Sequence, residues 1–246
     1  MADWHEKDDF WIEMADKIFS TEKWENAPSD VEKIISLLNM KPETYVLDLC
    51  CGPGRHSLEL ARRGFHVVGV DRTSQYIEDA RVKARAEKLD VKFEQKDMRV
   101  FCQPNIFDVV LNLYTSFGYF QNPQDDRNVI GNVLLSLKPN GRLLLDVMGK
   151  EILARIFKER DWYEQDGVLY LEERKVKKDW SWIESRWIAI DGKTQKQFKF
   201  GHRIYSGIEL STLLIDTGFR SVQLFGDLDG VPYNNTAKRL VAVAFK

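Results

Sequence analysis

The sequence predicts an α/β fold, a doubly wound sheet of seven mostly parallel strands with a small antiparallel β insertion after the fifth. Three observations carry it. Short apolar runs alternate with segments of helical period, the pattern of a parallel sheet covered by helices on both faces. The first run, Val46–Leu49, ends in a glycine-rich turn at Gly52 and Gly54 that opens a helix over Arg55–Arg63. Between Val168 and Tyr205 the period changes to two, with large apolar residues alternating with charged ones.

The elements follow in order. Trp4–Asn39 carries Trp4, Phe10, Trp11, Phe19 and Trp24 at helical spacing. Pro28 and Ser29 mark a break, and Ser29 is a cap for a helix from Asp30. Gly64–Asp71 reads as the second strand, Ser74–Lys88 as a helix and Val91–Phe93 as a short third strand. Phe107–Leu113 is the fourth, and Leu137–Asp146 a turn and the fifth. Val168–Val176, Trp182–Ile190 and Gln195–Tyr205 form the inserted sheet, with Asp191-Gly192 as a hairpin turn. On a regular strand Trp180 and Trp182 share one face, which then packs on the core or on a second subunit. Ser206–Thr217 is a capped helix stopped by Gly218, and Val222–Phe225 and Leu240–Phe245 are the last strands. The division is a helical cap over 1–39, a core of 40–155 with 206–246, and an insertion or lid over 156–205.

Composition narrows the function. The 246 residues carry 43% hydrophobic side chains and a net charge of −2, which gives no support to nonspecific nucleic-acid binding. The N-terminus is charged, with neither a leader-like nor a membrane-spanning run, so a cytoplasmic setting is expected. Cys50, Cys51 and Cys102 make no disulfide framework and no metal pattern, so no metal is expected. The insertion holds nine basic against five acidic residues between Val168 and Arg203, a solvated face or a surface for an anionic acceptor or a homodimer.

Asp48 closes the first strand inside the glycine motif. A carboxylate there repels phosphate but suits an ammonium or sulfonium, and Ser57 stands where a dinucleotide fingerprint has its third glycine. Asp71, at the tip of the second strand, is placed to bond ribose hydroxyls, with Arg72 beside it. The pattern Asp48-x-Cys50-x-Gly52-x-Gly54 resembles motif I of the class I (Rossmann-like) S-adenosylmethionine (SAM) dependent methyltransferases, with Cys50 where the first glycine usually stands. The Lys-Pro-x-Gly turn before the fifth strand is similar to that family as well, and the β insertion resembles its small-molecule members.

The resemblance implies SAM as cofactor. It places Asp48, Cys50, Gly52, Gly54 and His56 at the methionine end, Asp71 and Arg72 at the ribose, Asp97 and Met98 at the adenine, and Asn112 and Leu113 near the sulfonium. It also implies an acceptor near Tyr114, Phe117, Tyr119 and Phe120, with His202 and Arg203 at the end of the insertion. Tyr119 and His202 are the catalytic candidates; a histidine on a strand is more often simply packed. The Asn/Asp-Pro-Pro-Tyr/Phe pattern of adenine methylases is absent at Asn112–Tyr114. The expected function is methyl transfer to N or O of a small molecule. A tRNA or protein methyltransferase and a noncatalytic SAM-binding protein are the alternatives.

Overall fold

The computed structural model describes residues 3–165 and 167–246. A 3-10 turn at Trp4–Glu6 leads into α1 (Asp8–Glu13), α2 (Ala15–Ile18) and α3 (Thr21–Leu37). The core then runs β1 (Tyr45–Leu49), α4 (Arg55–Arg62), β2 (His66–Asp71), α5 (Ser74–Glu87), β3 (Val91–Gln95), β4 (Phe107–Asn112), α6 (Pro123–Ser136) and β5 (Leu137–Val147). After α7 (Lys150–Ile156) come β6 (Arg160–Gln165), β7 (Val168–Lys177), β8 (Trp182–Asp191) and β9 (Thr194–Arg203). The chain closes with α8 (Gly207–Thr217), β10 (Ser221–Phe225) and β11 (Leu240–Phe245).

Val46, Leu47, Val110, Leu111, Leu143 and Leu144 are fully buried, so the middle strands have no solvent face and read as unbroken apolar runs. The seven-stranded order is β10-β11-β5-β4-β1-β2-β3, with β11 antiparallel to both its neighbours and the other pairs parallel. Strand order therefore reverses beside β1, and the crevice at its carboxyl end is where open α/β sheets take ligands. Helices α6 and α8 cover one face through Val129, Ile130, Val133, Leu210 and Leu214. Helices α3 and α4 cover the other through Val31, Ile34 and Leu60.

The four-stranded sheet, β6-β7-β8-β9, is wholly antiparallel and separate from the first. Asp191 pairs with Thr194, so Gly192 and Lys193 are the turn residues, with Gly192 at φ +56°. The expected Asp-Gly turn is thus displaced by one residue, with the glycine first, as a type II′ turn requires.

Two further expectations fail. Pro28 does not break the N-terminal helix but lies inside α3. Losing one backbone bond and crowding the preceding turn costs about 3 kcal/mol; the complete burial of Val31 and Ile34 one to two turns on offsets it. Trp180 and Trp182 do not share a strand face. Lys178, Asp179 and Trp180 all take left-handed φ (49°, 54° and 64°), forming the turn before β8. Trp180 packs on Phe157, while Trp182 opens β8 only 2% exposed.

The N-terminal segment straddles both sheets. Trp4 Nε1 donates to the Gly201 carbonyl at 2.7 Å, and Phe10 meets Phe198 and Phe200 edge-on or tilted. Glu13 pairs with Lys196 at 3.1 Å.

Candidate active site

The floor of the site is a strained turn. Cys50, Gly52 and Gly54 all have positive φ (66°, 56° and 83°). For Cys50 this is the costly left-handed region, at the position where the resemblance expects glycine. The turn is held there by β2: the Cys50 and Cys51 amides both donate to the Val70 carbonyl, at 2.7 and 3.0 Å. Asp71 adds a brace, accepting from the Gly52 amide at 2.9 Å and the Thr73 amide at 2.8 Å. Burial raises the Asp71 pKa, against the pull of those two amides. Asp48, at the end of β1, accepts from Ser57 Oγ at 2.6 Å, and burial pushes its pKa up as well. Cys50 is no nucleophile, because burial raises its thiol well above the usual range; its Sγ sits 3.4 Å from Met98 Sδ.

One cavity gathers these groups, enclosing about 1060 Å³ with its open mouth included. Asp48, Cys50, Gly52, His56, Asp71, Arg72, Asp97, Met98, Leu113, Tyr114 and Tyr119 all line it. At one end Asp97 accepts from Arg99, whose Nε lies 3.1 Å from both carboxylate oxygens and whose NH2 group lies 2.6 Å from Oδ2 and reaches on to Glu6. Burial raises the Asp97 pKa, but these bonds outweigh it and hold the carboxyl below its usual value. At the other end Asp30 gathers Tyr114 Oη at 2.7 Å and His56 Nε2 at 3.4 Å, with the Arg55 guanidinium 4.0 Å over the Tyr114 ring.

Four expected site residues lie elsewhere. Gly54 caps α4 instead of lining the cavity; a Cβ there would touch Ala80 and Phe93 at 3.0 Å. Asn112 turns its amide to the Leu49 and Ser116 carbonyls, bracing the strand ends. Arg203 is drawn to the buried Asp126, 3.0 Å from Nε to Oδ2, because that carboxylate needs a cation. His202 is packed within the second sheet, where burial pushes its pKa down to about 4. Neither His202 nor Arg203 lines the cavity that gathers the other site residues.

The N-terminal segment supplies what the sequence reading did not assign. His5, Trp11, Ile18, Phe19 and Lys23 line the same cavity, with Arg55 beside them. Phe19 presses on the floor so closely that a Cβ on Gly52 would lie 2.6 Å from its ring. His5 is 5% exposed, near the Tyr119 and Phe120 rings, and both its ring nitrogens are buried without a hydrogen-bond partner among the described residues. Burial lowers its pKa, which favours the neutral ring. The one available signal was the density of aromatics before Asp30; nothing local said which surface they cover. Among the described residues no group of three or more His, Cys, Asp or Glu side chains is placed to hold a metal.

The fold is that of the class I SAM-dependent methyltransferases, and the comparisons make the protein a SAM-dependent methyltransferase. Residues 46–141, which hold the 50–54 turn, Asp71 and Asp97, match the model of a methyltransferase domain family. A Geobacillus sp. (strain WCH70) protein bearing a methyltransferase name is 24% identical over 94% of this chain and 96% of its own. A SAM-dependent methyltransferase from Clostridium acetobutylicum ATCC 824 superposes with a TM-score of 0.76 at 17% identity, covering 96% of this chain and 97% of that one. SAM-bound CalS10, an amino pentose methyltransferase from Micromonospora echinaspora, gives 0.67 at 21% identity over 95% and 96% of the two chains. At these identities the structural likeness is one of fold. The cavity's lining has the chemistry such a cofactor would need: carboxylates at Asp48, Asp71 and Asp97 that can accept from hydroxyl and amino groups and face a cationic centre, an apolar Met98 face and a close backbone approach at Gly52.

Proposed function

We propose that the protein transfers the methyl group of SAM to a nitrogen or oxygen of a small-molecule acceptor by in-line attack. SAM supplies a methyl group made electrophilic by the adjoining sulfonium. The chain's residues divide the remaining work. Asp71 holds the ribose hydroxyls, Asp97 and Met98 the adenine, and the 50–54 turn the methionine end. Trp11, Tyr119 and Phe120 shape an apolar, water-poor space for the acceptor, which favours near-attack geometry. His5 takes the acceptor's proton.

The observation that carries this reading is His5, a neutral imidazole with two unsatisfied nitrogens on the cavity wall. A buried polar group without partners is costly, and a bound ligand that completes it repays the cost. A roof made from the chain's own N-terminal segment also favours a compact acceptor over a duplex or a folded protein. The amino pentose methyltransferase among the structural neighbours fits a small polar acceptor of this kind.

The test pairs calorimetry with a labelled-methyl screen. S-adenosylhomocysteine should bind and NAD should not. Label should pass to small amines or hydroxyl compounds, not to RNA or protein. His5→Ala should lower transfer about 100-fold or more, the usual contribution of a positioned base, with S-adenosylhomocysteine affinity within threefold. Label appearing in macromolecules would overturn the acceptor class. An equal loss of binding and transfer would move His5 to the cofactor.

A further inference from the structure

Lys17 of α2 is buried in a box of aromatic rings on the four-stranded sheet. Its Nζ lies 3.5 Å from the Trp187 ring centroid, 4.8 Å from Tyr170 and 5.1 Å from Tyr163. Glu172 Oε1 sits 2.5 Å from the same nitrogen, and the two side chains are 9% and 7% exposed. The sheet register builds this box. Tyr163 pairs with Tyr170 and Glu172 pairs with Trp187, so four adjacent side chains project from one face. The Tyr163 and Tyr170 rings stack 5.3 Å apart. Arg174, two residues further along the same face, also binds Glu172. Ring faces around a carboxylate are the chemistry that recognises alkylammonium ions. Burial and the Arg174 charge push the Lys17 pKa down to about 7, while the facing rings and Glu172 favour its charged form.

The position of Lys17 in the chain gives this contact a consequence. Ile18 and Phe19 follow directly and line the cofactor cavity, with Phe19 against Gly52. His5 and Trp11, on the same segment, form the rest of the roof. Withdrawing Lys17 from the box removes the most buried of the ion pairs that hold the segment closing the site.

We propose that Tyr163, Tyr170, Trp187 and Glu172 form an ammonium-binding cage whose tethered ligand is Lys17, that this latch holds the roof shut over the cofactor, and that a small alkylammonium ion takes the cage when Lys17 leaves it. The cage lies outside the cavity and does not depend on which acceptor the enzyme methylates.

The experiment uses the full chain, tetramethylammonium chloride as probe and tert-butanol as neutral control. Wild type should show no calorimetric binding of tetramethylammonium below 100-fold over the value for Lys17→Ala, which should bind it in the millimolar range. Adding Trp187→Leu to Lys17→Ala should weaken that binding at least tenfold, and tert-butanol should not bind. Stopped-flow release of S-adenosylhomocysteine should be at least tenfold faster in Lys17→Ala, and in Lys17→Met, which keeps the stem and folds if the alanine variant does not. Equal probe binding by wild type and both Lys17 variants overturns the cage. Release rates within twofold of wild type overturn the latch.

Discussion

Replacing Asp71 by Asn tests whether one carboxylate both builds the cofactor floor and binds the cofactor. Its two oxygens accept from the Thr73 and Gly52 amides at 2.8 and 2.9 Å. Asparagine offers one oxygen and one NH2 group, so one backbone N–H faces a donor and loses its partner. A lost hydrogen bond to a charged group costs about 1.5–3 kcal/mol. We expect a loss near 2 kcal/mol in urea denaturation, or roughly 4–8 °C in Tm for a chain of this size. The same change removes the charged acceptor proposed for the ribose, which should weaken S-adenosylhomocysteine tenfold to a hundredfold by calorimetry. The two losses arise from one atom group and should appear together. Stability within about 0.5 kcal/mol of wild type, with affinity lost, would mean the floor does not need this brace. Full affinity with stability lost would remove Asp71 from the ribose.

Two further outcomes are expected. Arg239→Met should cost about 2 kcal/mol and raise the S-adenosylhomocysteine Kd severalfold. Arg239 Nε pairs with the buried Asp146 at 2.7 Å and its NH2 reaches Thr115 Oγ1 at 2.9 Å, while Asp146 also accepts from the Tyr114 amide. Its partial exposure puts the cost below that of a fully buried pair; unchanged urea stability would refute the brace. His202 has a folded pKa of about 4 against an ordinary 6.5, so the unfolded chain binds the proton more readily. Stability is therefore lost as pH falls from 6.5 to 4, by at most about 3 kcal/mol. His202→Gln should flatten that part of the urea-stability profile; an unchanged slope would place the ring in solvent.

The floor of the site was readable because parallel strands are buried on both faces and end in polar residues at one edge. Val46–Leu49 with Asp48, Gly64–Asp71 and Val91–Phe93 carry their structure in short local runs, and the proposed cofactor groups Asp48, Asp71, Asp97 and Met98 fall at or just beyond their ends. The capping box at Ser206 and Glu209 was half readable for the same local reason, the serine being its visible part. The roof was not readable, because its partners are remote. Trp4 bonds Gly201 across 197 residues and Lys17 bonds Glu172 across 155, and no local period encodes such pairings. Arg203 failed for a related reason: its basic character was visible, but Asp126, which draws it away from the cavity, is distant in sequence.

Floor and roof also differ in how they are held, and that decides which one moves. The 50–54 turn is fixed by backbone amides on the Val70 carbonyl and on Asp71, between strands with no exposed face. Opening it would break sheet hydrogen bonds and release three left-handed residues at once. The roof is tied mainly by side chains: Arg72 to Asp8, Arg99 to Glu6, Lys17 to Glu172 and the Trp4 indole to Gly201. Each of these can part without unfolding a strand, and the ion pairs other than that of Lys17 are only partly buried, where such pairs are weak. Local opening takes the path of fewest buried contacts. The N-terminal segment is therefore the part expected to open first, and on the proposed latch the sheet that anchors Lys17 would set how often it does.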